Sequence, residues 1–311
     1  MKLTIYIFLL LLLVACNKKE ETLTPSASQA YALPQGNHDY DTTIMGYYNK
    51  YGSYFLYKFS DRDAYWTPTG WKNLRYDSSL SAWTDGFRVQ LADEAYVGAQ
   101  LAIIQRLWFR YYSDKFLKNF LPVKVLLCSK IDSAIFTYDF STTPTTIVVK
   151  TKDVGAWYSY DKICVNFGSD KVMSMTPQDS GYMTWKLSMV FMNEIFAMKP
   201  VTPTDDFLKI TSYTPQFTSQ QQAYTAGSIT TYYNASAQND WNNYMLAMVS
   251  CSEEALNRKV AATSSASNIG ILNPIKDTNG KIKKRYDIVR NYFINNYNVD
   301  LQAIGNAAIP Q

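Results

Sequence analysis

The opening apolar run and the later periodic stretches of the chain predict different things. Ile5 to Val14 is an unbroken ten-residue apolar run behind Lys2. A membrane-spanning helix needs roughly 20 such residues, so this length suits the core of a signal peptide. Around Met45–Phe59 the chain is Tyr-rich and predicts a short strand centred on Tyr54-Phe55-Leu56-Tyr57. From Asp93 to Leu117 apolar residues recur at spacings of three and four (Val97, Leu101, Ile104, Leu107, Trp108, Tyr111, Phe116), the signature of one long amphipathic helix ended by Pro122. Strands are expected at 123–127, 135–138, 146–149 and 162–167. A helix then opens at Asp179 or Ser180 and ends at Met198 before Lys199-Pro200. A polar, turn-rich stretch, 202–236, precedes helical patterns at 241–260 and 286–297. Helix, strands, helix, loops, helices is an α+β order rather than alternating βαβ.

The leader ends in Leu13-Val14-Ala15-Cys16. This resembles the lipobox of bacterial lipoprotein precursors, which implies cleavage after residue 15 and a diacylglycerol on Cys16. Several acyl chains, each contributing about 0.8 kcal/mol per buried methylene, anchor a protein stably. Asn17-Lys18-Lys19-Glu20-Glu21 resembles the short acidic export tag of surface lipoproteins in Bacteroidota. The Thr-, Pro- and Ser-rich stretch up to residue 37 reads as a flexible linker. The expected organisation is therefore a signal peptide (1–15), a lipidated cysteine with linker (16–37) and one domain (38–311). The expected site of action is the outer membrane, lipid-anchored and facing the surface.

Composition narrows the chemistry. Of 311 residues, removal of the first 15 leaves 296, and losing Lys2 takes the net charge from +4 to +3. That balance does not suit a nucleic-acid partner, and the basic run Lys281–Arg285 follows a turn at Asn279-Gly280 and opens a helix. With Cys16 committed to lipid, Cys128, Cys164 and Cys251 remain, widely spaced. One disulfide or three buried thiols fit this count; a metal motif does not. The 25 Tyr, 15 Phe and 7 Trp suit either sugar stacking or an aromatic-filled core, and their scatter favours the core.

The helix ending at Met198 carries one charge between Leu187 and Met198, Glu194. A lone carboxylate on an apolar helix must be paired, neutral or at a wet rim. Here the chain resembles the Bacteroidota lipoproteins known as substrate import-associated zinc metallohydrolases, or zinc-binding metallopeptidases. The similarity runs over most of residues 40–305, including Phe120–Val125 before the first central strand, Phe207–Thr211, and Tyr286–Phe293 with Asn298–Leu301. It implies a zincin-like α+β domain with a small central sheet, a central active-site helix and a helical C-terminal part. The family helix carries His-Glu-x-x-His, two imidazoles on one face for zinc and a glutamate as general base. In this sequence those positions hold Asn193, Glu194 and Ala197, and the later acidic ligand falls at Asn243, or at Asp240 if the alignment shifts.

Only the base position keeps its residue. The chain has a single histidine, His38, at the end of the linker, whereas catalytic zinc usually takes three protein ligands. Ser-His-Asp and Cys-His schemes fail for the same want of histidine. The expectation is a pseudoenzyme with no cofactor, beside a TonB-dependent porter and its lid lipoprotein, binding glycan, peptide or a partner protein. Two alternatives stay open: a hydrolase with rearranged or metal-free chemistry, in which Asp240, Glu253 or Glu254 pairs with Glu194, and a purely structural subunit of the uptake complex. Two futures are open to Glu194 itself. In an open groove, Glu194→Gln would weaken a ligand. In a closed one, the favoured reading, Glu194 is a paired structural acid and the same change costs ~1–3 kcal/mol.

Overall fold

The computed structural model describes residues 30–65, 76–77, 82–83, 86–262 and 265–308. Leader, lipobox and Cys16 lie outside these residues. The compact unit runs over Pro34–Gln311. It opens with α1 (Asp39–Tyr51), a helix that the sequence reading did not expect between the linker and the first strand. Asp41 accepts the His38 N–H at 2.9 Å to start the helix, and Gly52, at φ 76°, ends it by donating to Tyr48 O at 2.8 Å. Ile44 is the one apolar residue that α1 buries fully, so the segment carries almost no helical stripe to read.

The strand β1 (Tyr54–Leu56) follows as expected, then a turn of helix at Asp61–Ala64 and a two-stranded ribbon of Tyr76–Asp77 with Ala82–Trp83. Strand β2 (Gly86–Leu91) leads into α2 (Val97–Leu107) and α3 (Asp114–Phe120). The single long helix expected over this region is therefore broken. Trp108 leaves helical geometry, Phe109–Tyr111 forms a 3-10 turn, and the Ser113 hydroxyl caps α3 by accepting from Phe116 N at 3.2 Å. Leu107, Trp108 and Phe109 are buried in succession, and three consecutive residues span about 200° around a helix, wider than one buried stripe.

The sheet is organised by β3 (Lys124–Asp139), with β4 (Thr146–Asp153), β5 (Ala156–Ser159) and β6 (Lys162–Val165). The first part of β3 lies between β1 and β6, parallel to both, with Phe55 opposite Val125 and Leu126 opposite Cys164. Val125, Leu126 and Leu127 have no exposure, which explains their continuous apolar run. Beyond Cys128 the same strand pairs antiparallel with β2 on one side and β4 on the other. Sequence reading divides this strand in two because Ser129, Lys130, Asp132 and Ser133 are polar; half-exposed on either side of the buried Ile131, they continue it as a ribbon. Strand β5, which carries too few residues to stand out, forms the sheet edge against β6.

Helix α4 (Pro177–Met198) packs on β5 and β6, closely enough that a Cβ at Gly155 would come within 2.9 Å of Met183 Sδ. Its Phe191 is met edge-on by Trp108, Tyr112 and Phe116, so these aromatics are core. Gln100 of α2, fully buried, ties the helix to the sheet by donating to the carbonyls of Cys128, Val165 and Asn166 at 2.8–3.2 Å. After a turn at Asp205–Leu208, the C-terminal part is helical: α5 (Gln220–Ala226), α6 (Ala237–Ser250), α7 (Glu253–Asn257), α8 (Lys281–Tyr297) and α9 (Leu301–Ala308). At Gly305 the backbones of α9 and α6 touch, and any side chain there would meet the Met248 and Cys251 carbonyls. The α+β class and the small sheet with its central helix are as the sequence predicts.

Candidate functional site

The central helix begins at a capping box. Thr176 Oγ1 accepts from Asp179 N at 3.1 Å, Asp179 Oδ2 accepts from Thr176 N at 2.9 Å, and Pro177 fills the first helical position. The helix thus starts two residues before the expected Asp179. At the other end Lys199 N–H closes on Ile195 O at 2.8 Å, and Lys199 Nζ donates to Leu121 O at 2.8 Å. Between these ends Leu187, Phe191 and Ile195 have no exposure. Glu194 falls on the same buried side and is 1% exposed.

Glu194 Oε2 is buried with no hydrogen-bond partner among the described residues. Loss of water raises its pKa from 4.5 to about 7, opposed only in part by the charge of Lys199. In return, Glu194 adds to the burial that raises Tyr158 of β5, so the two side chains sense each other. Glu194 is thus enclosed, and the partner expected for it in a closed site is absent among the described residues: no ion pair reaches it. The acids expected as carboxyl partners do not join it either: Asp240 takes its hydrogen bonds from other residues, and Glu253 and Glu254 sit exposed in the first turn of α7.

The neighbouring positions are occupied by their own bonds. Asn193 Nδ2 turns back along the helix to Met189 O at 2.8 Å. Ala197 is exposed and offers a methyl group. Asn243 of α6 donates to Thr230 Oγ1 at 2.9 Å. No hydrogen bond among the described residues links Asn243 to Asn193 or Glu194.

Asp240, the alternative ligand position, is fully buried and saturated. Its Oδ1 accepts from Ser228 Oγ, Ile229 N, Thr230 N and Thr230 Oγ1 at 2.7–3.0 Å. Its Oδ2 accepts from Tyr213 OH at 2.6 Å and Arg285 Nη1 at 2.9 Å. Arg285 also donates to Gly227 O and Tyr213 OH, and its guanidinium lies 3.6 Å from the Phe207 ring centre. Arg285 and Tyr213 escaped the sequence reading. The signal was present: Ile282, Arg285, Tyr286, Val289 and Phe293 are the buried stripe of α8, and Arg285 sits in the middle of it.

The remaining donors do not converge either. His38 caps α1, its Nδ1 3.3 Å from Asp41 and its Nε2 3.4 Å from Glu94, so its two acids lie on opposite ring nitrogens. Cys128, Cys164 and Cys251 are buried free thiols, and burial holds the Cys128 thiol well above its usual range. Among the described residues no group of three His, Cys, Asp or Glu side chains could hold a metal ion. Zinc prefers imidazole, thiolate and carboxylate in a tetrahedral set. A committed amide, a methyl and a second committed amide do not fit it.

The described residues form an α+β domain with a small sheet packed against a central helix. Residues 84–302 match the family model described as "Putative zinc-binding metallo-peptidase", and the chain belongs to that family. A solved structure described as a "putative zinc-binding metallo-peptidase" from Bacteroides caccae is 13% identical, covering 85% of this chain and 87% of that one at a TM-score of 0.43. A comparison with curated proteins finds no match.

Proposed function

We propose that this family member works without catalytic zinc, as a non-catalytic lipid-anchored protein of the outer-membrane surface that binds substrate or a partner beside a nutrient importer. The observation that carries this reading is the donor set on the central helix. Asn193 spends its amide on Met189 O, Ala197 has no donor atom, and Glu194 is buried with one oxygen unpartnered. Without a metal no bound water is acidified, and a general base at Glu194 has nothing polarised to act on. The lipobox at Cys16 supports the anchor. Membership of the family, through the resemblance above, supports an importer of the TonB-dependent kind with its lid lipoprotein as neighbour, and a glycan or peptide as ligand.

Two experiments test the proposal. The purified protein, assayed on peptide libraries with and without added zinc, is expected to turn over nothing. Cleavage that Glu194→Gln abolishes would overturn the pseudoenzyme reading. In cells, Cys16→Ala should leave precursor or soluble protein in place of a membrane-bound form; unchanged processing and fractionation would remove the anchor from the account.

A further inference from the structure

Two openings do not include Glu194 among their lining residues. They lie between α1 and α2, where two clefts of about 530 Å³ and 460 Å³ share Thr43, Tyr47 and Gln105 and so form one groove. We propose that this groove binds a neutral carbohydrate, stacking a pyranose ring on its tyrosines. The proposal rests on the groove alone and does not depend on whether Glu194 is catalytic.

Gly46 is the first observation. It lies inside α1 and lines the groove, yet a Cβ built on it meets nothing within 4 Å. Glycine disfavours a helix interior, and here neither a turn nor a close neighbour in the chain requires it. Gly98, in the second lobe, is similar: its Cβ would make only an ordinary 3.7 Å contact with Tyr40. Bare helix backbone in both lobes gives a ligand room to lie against it.

The lining supplies the second observation. Tyr47 and Tyr51, one turn apart on α1, have ring centres 6.2 Å apart and planes 29° apart. Tyr47 is backed by Phe55 and Phe109, and the hydroxyls of both tyrosines are tied down, to Gln105 Oε1 at 3.4 Å and Asp114 Oδ1 at 2.8 Å. Rings fixed by their edges form a stacking platform that loses little freedom on binding. Around them the rim mixes donors and acceptors: the Gln105 amide, the Arg110 guanidinium, and the Asp114 carboxylate held by Lys50 at 2.7 Å. A sugar hydroxyl both donates and accepts, so it can use every one of these groups. Lys50 and Arg110 are balanced by Asp114 and, in the second lobe, Asp39, which leaves no net field to attract a polyanion.

The test is calorimetric titration of the purified protein with the hexasaccharides of the malto, cello, xylo and manno series, with oligogalacturonate and a Gly-Ser hexapeptide alongside. At least one neutral hexasaccharide is expected to bind with Kd below about 1 mM. Gly46→Met, which fills the groove, and Gln105→Ala, which removes a rim amide, should each weaken it about tenfold or more. Neither should lower the melting temperature, and Tyr138→Ala on the β3–β4 hairpin should leave binding unchanged. No neutral hexasaccharide bound, binding of the anionic or peptide probe alone, or wild-type affinity in both groove variants would overturn the proposal.

Discussion

Asp240 and Glu194 are both buried carboxylates, on the packed helices α6 and α4, and their surroundings are opposite. Asp240 accepts six hydrogen bonds, one from a fully buried arginine. Glu194 has a buried oxygen with none. A buried charge is tolerated where donors replace the water it loses, and otherwise the group gives up its charge. The first acid therefore organises structure: it gathers the Ser228–Thr230 backbone, Tyr213 and α8 around one point. The second costs stability whenever it is ionised, and among the described residues no ion pair or hydrogen bond holds its buried oxygen. Glu194 is the less satisfied of the two.

The largest predicted effect comes from breaking the satisfied site. Arg285→Met leaves Asp240 charged and buried, and should cost about 3–5 kcal/mol in urea denaturation. Adding Asp240→Leu should recover only part of the loss, because the Ile229 and Thr230 N–H groups would then lack an acceptor, a remaining cost of about 1–3 kcal/mol. Full recovery would mean that the carboxylate matters only to the arginine.

Glu194→Gln should act in the other direction and only at higher pH. With its folded pKa raised to about 7 against 4.5, Glu194 holds a proton in the folded state that the unfolded chain releases. Its favourable contribution is complete below about pH 4.5, falls as pH rises, and is gone above about 7, a loss of at most about 3 kcal/mol. The Gln variant should therefore match wild type near pH 4.5 and be the more stable protein at pH 8. This reverses the destabilisation expected from sequence, since that expectation assumed a partner. Denaturation of both proteins at the two pH values decides; a variant less stable at pH 8 would restore the missing partner.

The smallest effect belongs to Asn193→Ala. The amide serves only a carbonyl of its own helix, and alanine is the better helix former, so stability should stay within about 0.5 kcal/mol of wild type. A larger loss would show that the amide faces something beyond Met189.

Much of this contrast was legible in the sequence. The lone charge from Leu187 to Met198 marked Glu194, and the helix end at Lys199-Pro200 placed it within a turn of the C-terminus. The short spacing of residues 193, 194 and 197 is local, so helical periodicity fixes it. Asp240 was legible as an acid but not as a hub, because its donors come from residues 213, 228–230 and 285, and only tertiary packing brings them together. Helix α1 was hidden by its weak stripe, and with it the groove that it forms with α2. The break at Trp108 was hidden for the opposite reason: the apolar residues keep helical spacing through it, while the burial of three in succession, 107–109, exceeds one stripe.

Zinc titration of chelator-treated protein, followed by calorimetry and by elemental analysis after dialysis, tests most directly whether the metal centre is gone. The account predicts zinc well below one equivalent and a melting temperature indifferent to zinc and chelator alike. One tightly held equivalent, surviving dialysis and raising the melting temperature, would contradict it.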